Sequence, residues 1–352
     1  MTVRRNNSFL LAIGLVSAFL FGAATPASKA LLNDVQPQAL AGLLYLGAAI
    51  GVLPVLFRER TFCLPWRAGR RTITLLSGAI LLGGVLGPWL LLLGLRTATS
   101  GSVSLLLNLE LVATIFLGHL VFREYLATRG WLAAAGTLLA AVLLALGEGS
   151  SGLFSGLLVG AACLCWGFDN HLTALIDGIT PAQTTLWKGL VAGLFNLVIG
   201  GFVLGGLGSG MIILWALGIG ALSYGISVML YITTAQGLGA SRSQMVFSTA
   251  PFFGLLLSLL FLGESLTSLQ IIAAFIIIGS LALLFSEQHG HVHRHNRMMH
   301  EHWHRHDDGH HSHEHDDLSV TVHTHRHNHE PVEHEHAHWP DLHHRHDHGD
   351  DE

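Results

Sequence analysis

The residue that most demands an account is Glu110, in the run LLLNLELVATIFLG, with no Lys, Arg, Asp or other Glu within twelve positions on either side. A charge at the centre of an apolar helix in a bilayer costs about 2.5–3.5 kcal/mol on insertion scales, so a carboxylate kept there is a candidate for exchanging a proton or holding a cationic substrate. Asn108 is its neighbour in sequence but lies on another part of the helix surface, whereas Thr114 is one turn away on Glu110's own face. A second polar group interrupts CLCWGFDNHL at 163–172, where Asp169, Asn170 and His171 follow one another. Polar groups inside apolar helices face the bundle interior, so the trio is a candidate substrate or proton site. Lys188 has two uses, neutralising Asp169 or reaching the interface as a positive anchor, and anchoring is the expectation. Tyr224 and Tyr231, seven apart, form a two-turn stripe suited to walling a cavity.

A metal centre on Cys163, Cys165, Asp169 and His171 fails on spacing. At 100° per residue Cys165, Asp169 and Thr173 share a face, while Cys163 and His171 do not join it, so a closed four-ligand site would need other helices. Metal chemistry points instead to residues 289–352, which hold 23 of the chain's 25 histidines. Alternating imidazoles at His291, His293, His302, His304, His313, His315, His325, His327, His334, His336, His346 and His348, with carboxylates between them, suit Zn²⁺, Ni²⁺, Co²⁺ or Cu²⁺. The same imidazoles would also make a pH-responsive brush. With so few apolar residues this tail is expected to be disordered. No cofactor is required by anything in the sequence.

The elements that must position these residues follow from composition. The chain has 352 residues, 51% of them hydrophobic and 12% charged, too apolar for an ordinary soluble protein. Charge is segregated: residues 1–288 carry 13 Lys+Arg against 9 Asp+Glu, and the tail 5 against 14. The basic residues sit at the ends of apolar runs and form no patch, which argues against nucleic acid. Three cysteines give no disulfide framework. No nucleotide-binding loop or hydrolytic constellation appears, so neither an enzyme nor a primary pump is expected.

Ten apolar runs are long enough to cross a bilayer of about 30 Å as helices. Their approximate limits are 9–31, 38–57, 73–95, 101–122, 129–147, 153–176, 184–205, 212–234, 241–262 and 268–286. With the N-terminus inside, the inner loops collect Arg58, Arg60, Arg67, Arg70, Arg71, Arg123, Arg129 and Arg242, and the outer ones only Lys29 and Arg96. The expected placement is a multi-pass protein of the inner (plasma) membrane with both termini cytoplasmic. Arg4, Arg5, the run 9–22 and Ser28-Lys29-Ala30 also resemble a cleavable signal. The internal repeat weighs against that, because it makes this segment half of a pair.

Shifted by 140 positions, residues 101–126 align with 241–266, placing Glu124 over Glu264 and Leu126 over Leu266. FGAATPASKALL at 21–32 likewise corresponds to WGFDNHLTALI at 166–176, Gly22 over Gly167. Five spans per copy is an odd number, so the second copy enters the membrane from the opposite side and the halves are inverted repeats. That architecture is common in secondary transporters, with the substrate site near the midplane between the halves. Pro26, Pro88 and Pro251 fall within spans and should free backbone groups there. Glu124 and Glu264 end their helices and are read as structural.

The run STAPFFGLLLSLLFLGESLTSLQ at 248–270, its weaker first-half copy, Trp166-Gly167, and Pro181 followed by Lys188 together resemble the EamA-type transporters of the drug/metabolite transporter superfamily. The resemblance covers residues 9–286. It implies an all-α integral membrane fold of ten transmembrane helices in two five-helix repeats, with the first and sixth helices lining a central cavity. The first half departs from it at Leu111, where the second has Pro251, and at Arg123, where it has Gly263; the tail lies outside the pattern. The expected division is 1–148, first repeat; 149–288, second repeat; and 289–352, tail. The resemblance implies a secondary transporter, expected here to export a small organic metabolite with proton coupling through Glu110. Alternatives are a divalent-metal (Zn, Ni or Co) transporter using the tail as collector or sensor, and a non-transporting membrane metal store. Expected partners are a small-molecule or ion substrate, the lipid bilayer and a second copy in a homodimer.

Overall fold

The computed structural model describes residues 7–59, 62–121, 128–238 and 240–286, with tail stretches 289–294, 298–305, 322–329 and 333–338. Among the described residues, ten helices have the length and apolar character of membrane spans: α1 (Asn7–Leu31), α2 (Pro37–Leu56), α3 (Arg70–Thr97), α4 (Ser100–Leu120), α5 (Thr128–Gly147), α6 (Gly149–Ala174), α7 (Pro181–Val203), α8 (Gly210–Thr234), α9 (Ser243–Leu262) and α10 (Ser268–Phe285). Many large apolar side chains point outward, among them Phe202, Phe261, Phe275 and Leu157. That exposure is expected where the solvent is hydrocarbon and small residues fill the helix contacts instead.

Packing follows the repeat. The second helices of each half, α2 and α7, lie against one another, as do the fifth, α5 and α10. The other contacts are exchanged between halves: α1 packs on α8 and α9, and α6 packs on α3 and α4. Gly22 and Gly167 occupy matching places in that exchange. A Cβ on Gly167 would stand 3.1 Å from the Ala113 carbonyl carbon and Thr114 nitrogen, and one on Gly22 would run into the backbone of Ala250 and Gly254. Only glycine lets those backbones approach so closely.

Two pairs of helices also break in matching places. α3 and α8 pass through π-helical turns at Ile80–Leu86 and Gly220–Ile226, 140 positions apart. α4 is interrupted at 107–108 and α9 at 248–249. Each interruption frees carbonyls that a neighbouring polar side chain satisfies: Asn108 Nδ2 donates to Leu105 O at 2.9 Å, and Ser248 Oγ donates to Met245 O at 2.8 Å. Pro251 accompanies the break in α9 but α4 breaks without a proline, so local capping shares the work. Discontinuous helices are tolerated at membrane depth where they line an interior cavity.

One end of the bundle carries both termini, because ten crossings return the chain to its starting side; it is the terminal face here, and the opposite end the far face. In the tail, β1 (His289–Arg294) pairs antiparallel with β4 (Glu333–His338), and β2 (Met298–Arg305) with β3 (Val322–His329). These are two separate two-stranded pairs. Such pairs are marginal in water without an apolar face to bury. His313, His315, His346 and His348 lie outside the described residues.

Candidate functional site at the interface of the halves

Glu110 sits two residues beyond the interruption in α4, in the first turn of the helical segment that starts at Leu109. A carboxylate there meets the positive end of the helix dipole. Asn170 of α6 closes the site from the other half: its Nδ2 donates to Glu110 Oε1 and to Thr114 Oγ1, both at 3.1 Å. Asn170 is exposed, and Glu110 is half-buried. Asn108 does not reach Glu110 and serves the helix break.

Asp169 points elsewhere. Both its oxygens accept from Lys188 Nζ of α7, at 2.7 and 2.6 Å, and Oδ1 also accepts from Thr173 Oγ1 at 3.0 Å. Lys188 therefore does not reach for the interface as expected; with only 16% of its side chain exposed against 8% for Asp169, it is paired within the bundle. Once Asp169 is buried one helix away, leaving it unpaired would cost more than the entropy of holding the lysine. His171 Nδ1 lies 2.8 Å from Gly167 O.

Beneath Asp169 lies the π turn of α3. Its side chain rests where a Cβ of residue 83 would stand, so Gly83 is required. Pro88 has no N–H for Gly84 O, and Gly87 N–H reaches back to Leu82 O, leaving Gly83 O without its helical donor. Side chains fill both vacancies: Tyr45 OH and Trp166 Nε1 donate to Gly83 O at 2.5 and 3.0 Å, and Asn196 Nδ2 donates to Gly84 O at 3.2 Å. Helices α2, α6 and α7 are thereby tied to the turn by polar bonds that sliding helices can exchange.

An aromatic wall is drawn from both halves. Ring centroids step from Tyr45 to Tyr224 (6.0 Å), to Phe21 (5.8 Å), to Phe247 (5.1 Å) and to Tyr231 (4.9 Å), and Tyr231 OH donates to Gln244 Oε1 at 2.8 Å. The structure thus brings Glu110, Asn170, Tyr224 and Tyr231 into one region, places Asp169 and Lys188 beside it, and leaves His171 and Asn108 in supporting positions. Sequence reasoning missed Tyr45, Phe21, Phe247, Gln244 and Asn196. Pro88 was the available signal for Asn196, since it predicts a carbonyl in need of a donor.

At the far face, charged side chains bind the backbone around the start of α4. Glu264, at the end of α9, accepts from Ser100 N–H at 2.7 Å and Gly101 N–H at 2.9 Å at the start of α4. Glu148 accepts from Thr99 N–H at 3.0 Å and bonds its hydroxyl. Thr99 Oγ1 accepts from Ser102 N–H at 3.3 Å, completing the cap of α4. Lys29 of α1 donates to Leu95 O and Ala98 O, the last carbonyls of α3, at 2.7 and 2.8 Å. Glu264 is therefore more than a helix end: it joins the second half to the first. Its aligned partner Glu124 lies outside the described residues. The α4 segment 100–106 below this cluster is wholly buried, while 110–120 is partly open.

Among the described residues no three His, Cys, Asp or Glu side chains converge on a common point. A pocket of about 360 Å³ between α9 and α10, lined by Thr249, Phe252 and Ile278 among others, is almost entirely apolar and holds none of the ionisable groups above.

Against known proteins, residues 8–146 and 153–286 each match the EamA-like transporter family, giving two copies of its domain. An uncharacterized transporter of Methanothermobacter thermautotrophicus is 26% identical over 294 residues, covering 77% of this chain and 84% of its own. A solved crystal structure 17% identical to the chain superposes with a TM-score of 0.57, covering 79% of this chain and 98% of the other, and so shares the fold. Two matched domains that together span the helical bundle make the chain a member of the EamA-like transporter family.

Proposed function

We propose that the protein is a secondary transporter that exports a small organic solute, with Glu110 as the group that binds the solute's positive charge or the coupling proton. The observation that carries this reading is the Glu110–Asn170 bond. It joins the two halves at the interruption of α4, and its Asn170 side is exposed. A carboxylate that can be protonated or paired there changes what holds α4 to α6, which couples occupancy to the arrangement of the halves. The positive-inside distribution of arginines supports a cytoplasmic terminal face. The state described, closed at the far face by Glu264 and Glu148, is then one that admits solute from the cytoplasm.

Expression in cells, followed by mass spectrometry of the medium for amino acids, amines and nucleobases, tests the proposal. The expected result is net appearance of at least one such solute that is abolished by Glu110→Gln while the variant still reaches the membrane. Efflux undiminished by Glu110→Gln would remove Glu110 from the mechanism.

A further inference from the structure

Helices α9 and α10 part on the terminal-face side of the bundle. The groove between them, of about 360 Å³, is lined by Met245, Phe252, Ile278, Leu281 and Phe285 beside the break in α9 at 248–249. The repeat supplies a comparison. Under the 140-residue shift Met245, Ser248 and Phe285 correspond to Leu105, Asn108 and Ala145, and all three of those are buried. Met245 is exposed, and Ser248 and Phe285 are half-buried. Packing accounts for the difference: the opening turns of α4 meet α5, α6, α9 and α10, whereas those of α9 pack chiefly on α1 and α8. The same groove is filled in the first half and open in the second.

An apolar groove between two membrane spans has hydrocarbon as its surroundings, and its end at the terminal face carries a cation. Arg129, in the first turn of α5, is exposed and donates through Nη1 to Ser286 O at 3.4 Å, one residue beyond Phe285. That bond uses one of the five N–H donors of a guanidinium, which is suited to a phosphate at headgroup level. We infer that the groove holds an acyl chain of an anionic phospholipid from the terminal-face leaflet, with the lipid phosphate paired to Arg129. The chain lies against the break in α9. A rearrangement that gave the second half the closed groove of the first would expel it, so the bound lipid favours the arrangement described here. This assignment rests on the groove and Arg129 and stands whether or not Glu110 carries transport.

The test uses the full-length protein, delipidated in detergent and incubated with phosphatidylglycerol or with phosphatidylcholine of the same acyl chains. Native mass spectrometry then counts the lipid retained by each protein. The wild type should keep phosphatidylglycerol in preference to phosphatidylcholine. Ile278→Trp, which fills the groove from an exposed position, should bring that retention to background. Arg129→Gln should weaken it about fivefold, the weight of one cation at a membrane surface, and Arg129→Lys should restore most of it. Leu138→Trp, at the equivalent and equally open place in the first half, should change nothing. Wild-type protein that keeps no phosphatidylglycerol, or a loss in Leu138→Trp as large as in Ile278→Trp, would overturn the site. Equal retention of the two lipids, or Arg129→Gln without effect, would overturn the assignment of an anionic headgroup to Arg129.

Discussion

The two halves share their mechanics and differ in their chemistry. The π turns of α3 and α8 coincide under the 140-residue shift, the breaks in α4 and α9 fall within one residue of equivalence, and Asn108 and Ser248 cap those breaks in the same way. The ionisable groups are not duplicated. Ala250 stands where the first half has Glu110, and Ala24, Thr25 and Leu44 stand where the second has Asp169, Asn170 and Lys188. On the proposed function, paired hinges would let the bundle adopt two related arrangements, and an unduplicated charged centre would let a solute or proton distinguish them.

The sharpest break in that comparison comes from removing the unpaired chemistry. Glu110→Gln should reduce transport to background while Ala250→Ser, at the equivalent position, keeps a substantial rate in the same flux assay. Next in size is the ion pair. Asp169→Asn leaves Lys188 buried without its partner and should cost about 3–5 kcal/mol of stability. A double variant carrying Lys188→Gln as well should recover part of the loss, because coupling within a pair is not additive. Thermal unfolding of the four proteins in one detergent measures this, and strictly additive losses would show that the pair does not act as a unit.

Smaller effects concern the shared mechanics. Glu264→Gln weakens two charge-assisted bonds to the start of α4 and should cost about 1.5–3 kcal/mol, seen as greater protease or hydrogen-exchange access at 97–102. Asn108→Ala and Ser248→Ala each remove one side-chain bond at an equivalent break and should each cost about 0.5–1.5 kcal/mol. Similar values in the two halves would support equivalent hinges, and a several-fold disparity would not.

Much of this was legible in the sequence, and the reasons differ by feature. The ten spans and the repeat are carried by apolar runs and by a shift that aligns Glu124 with Glu264, so they needed no tertiary knowledge. Glu110 was visible because a lone carboxylate in hydrocarbon is conspicuous. Its partner was not: helical spacing showed which residues share a face of α6, but only the exchanged packing of α6 on α4 shows that Asn170 meets Glu110 while Asp169 meets Lys188. The aromatic wall was out of reach for the same reason, since Phe21, Tyr45, Tyr224 and Phe247 come from four helices. Glu264 was read only as a structural helix end because its donors are backbone N–H groups, which no sequence pattern reveals.

The central claim, that the halves alternate around the Glu110 site, is tested most directly by access to Thr114, which shares Asn170 with Glu110. Thr114→Cys, in a background without Cys63, Cys163 and Cys165, is reconstituted in vesicles of known orientation and treated with a membrane-impermeant thiol reagent from either side. The account predicts modification chiefly from the terminal face while Glu264 is intact, shifting toward the far face when Glu264→Gln releases the start of α4. Modification confined to the same face in both proteins would contradict it.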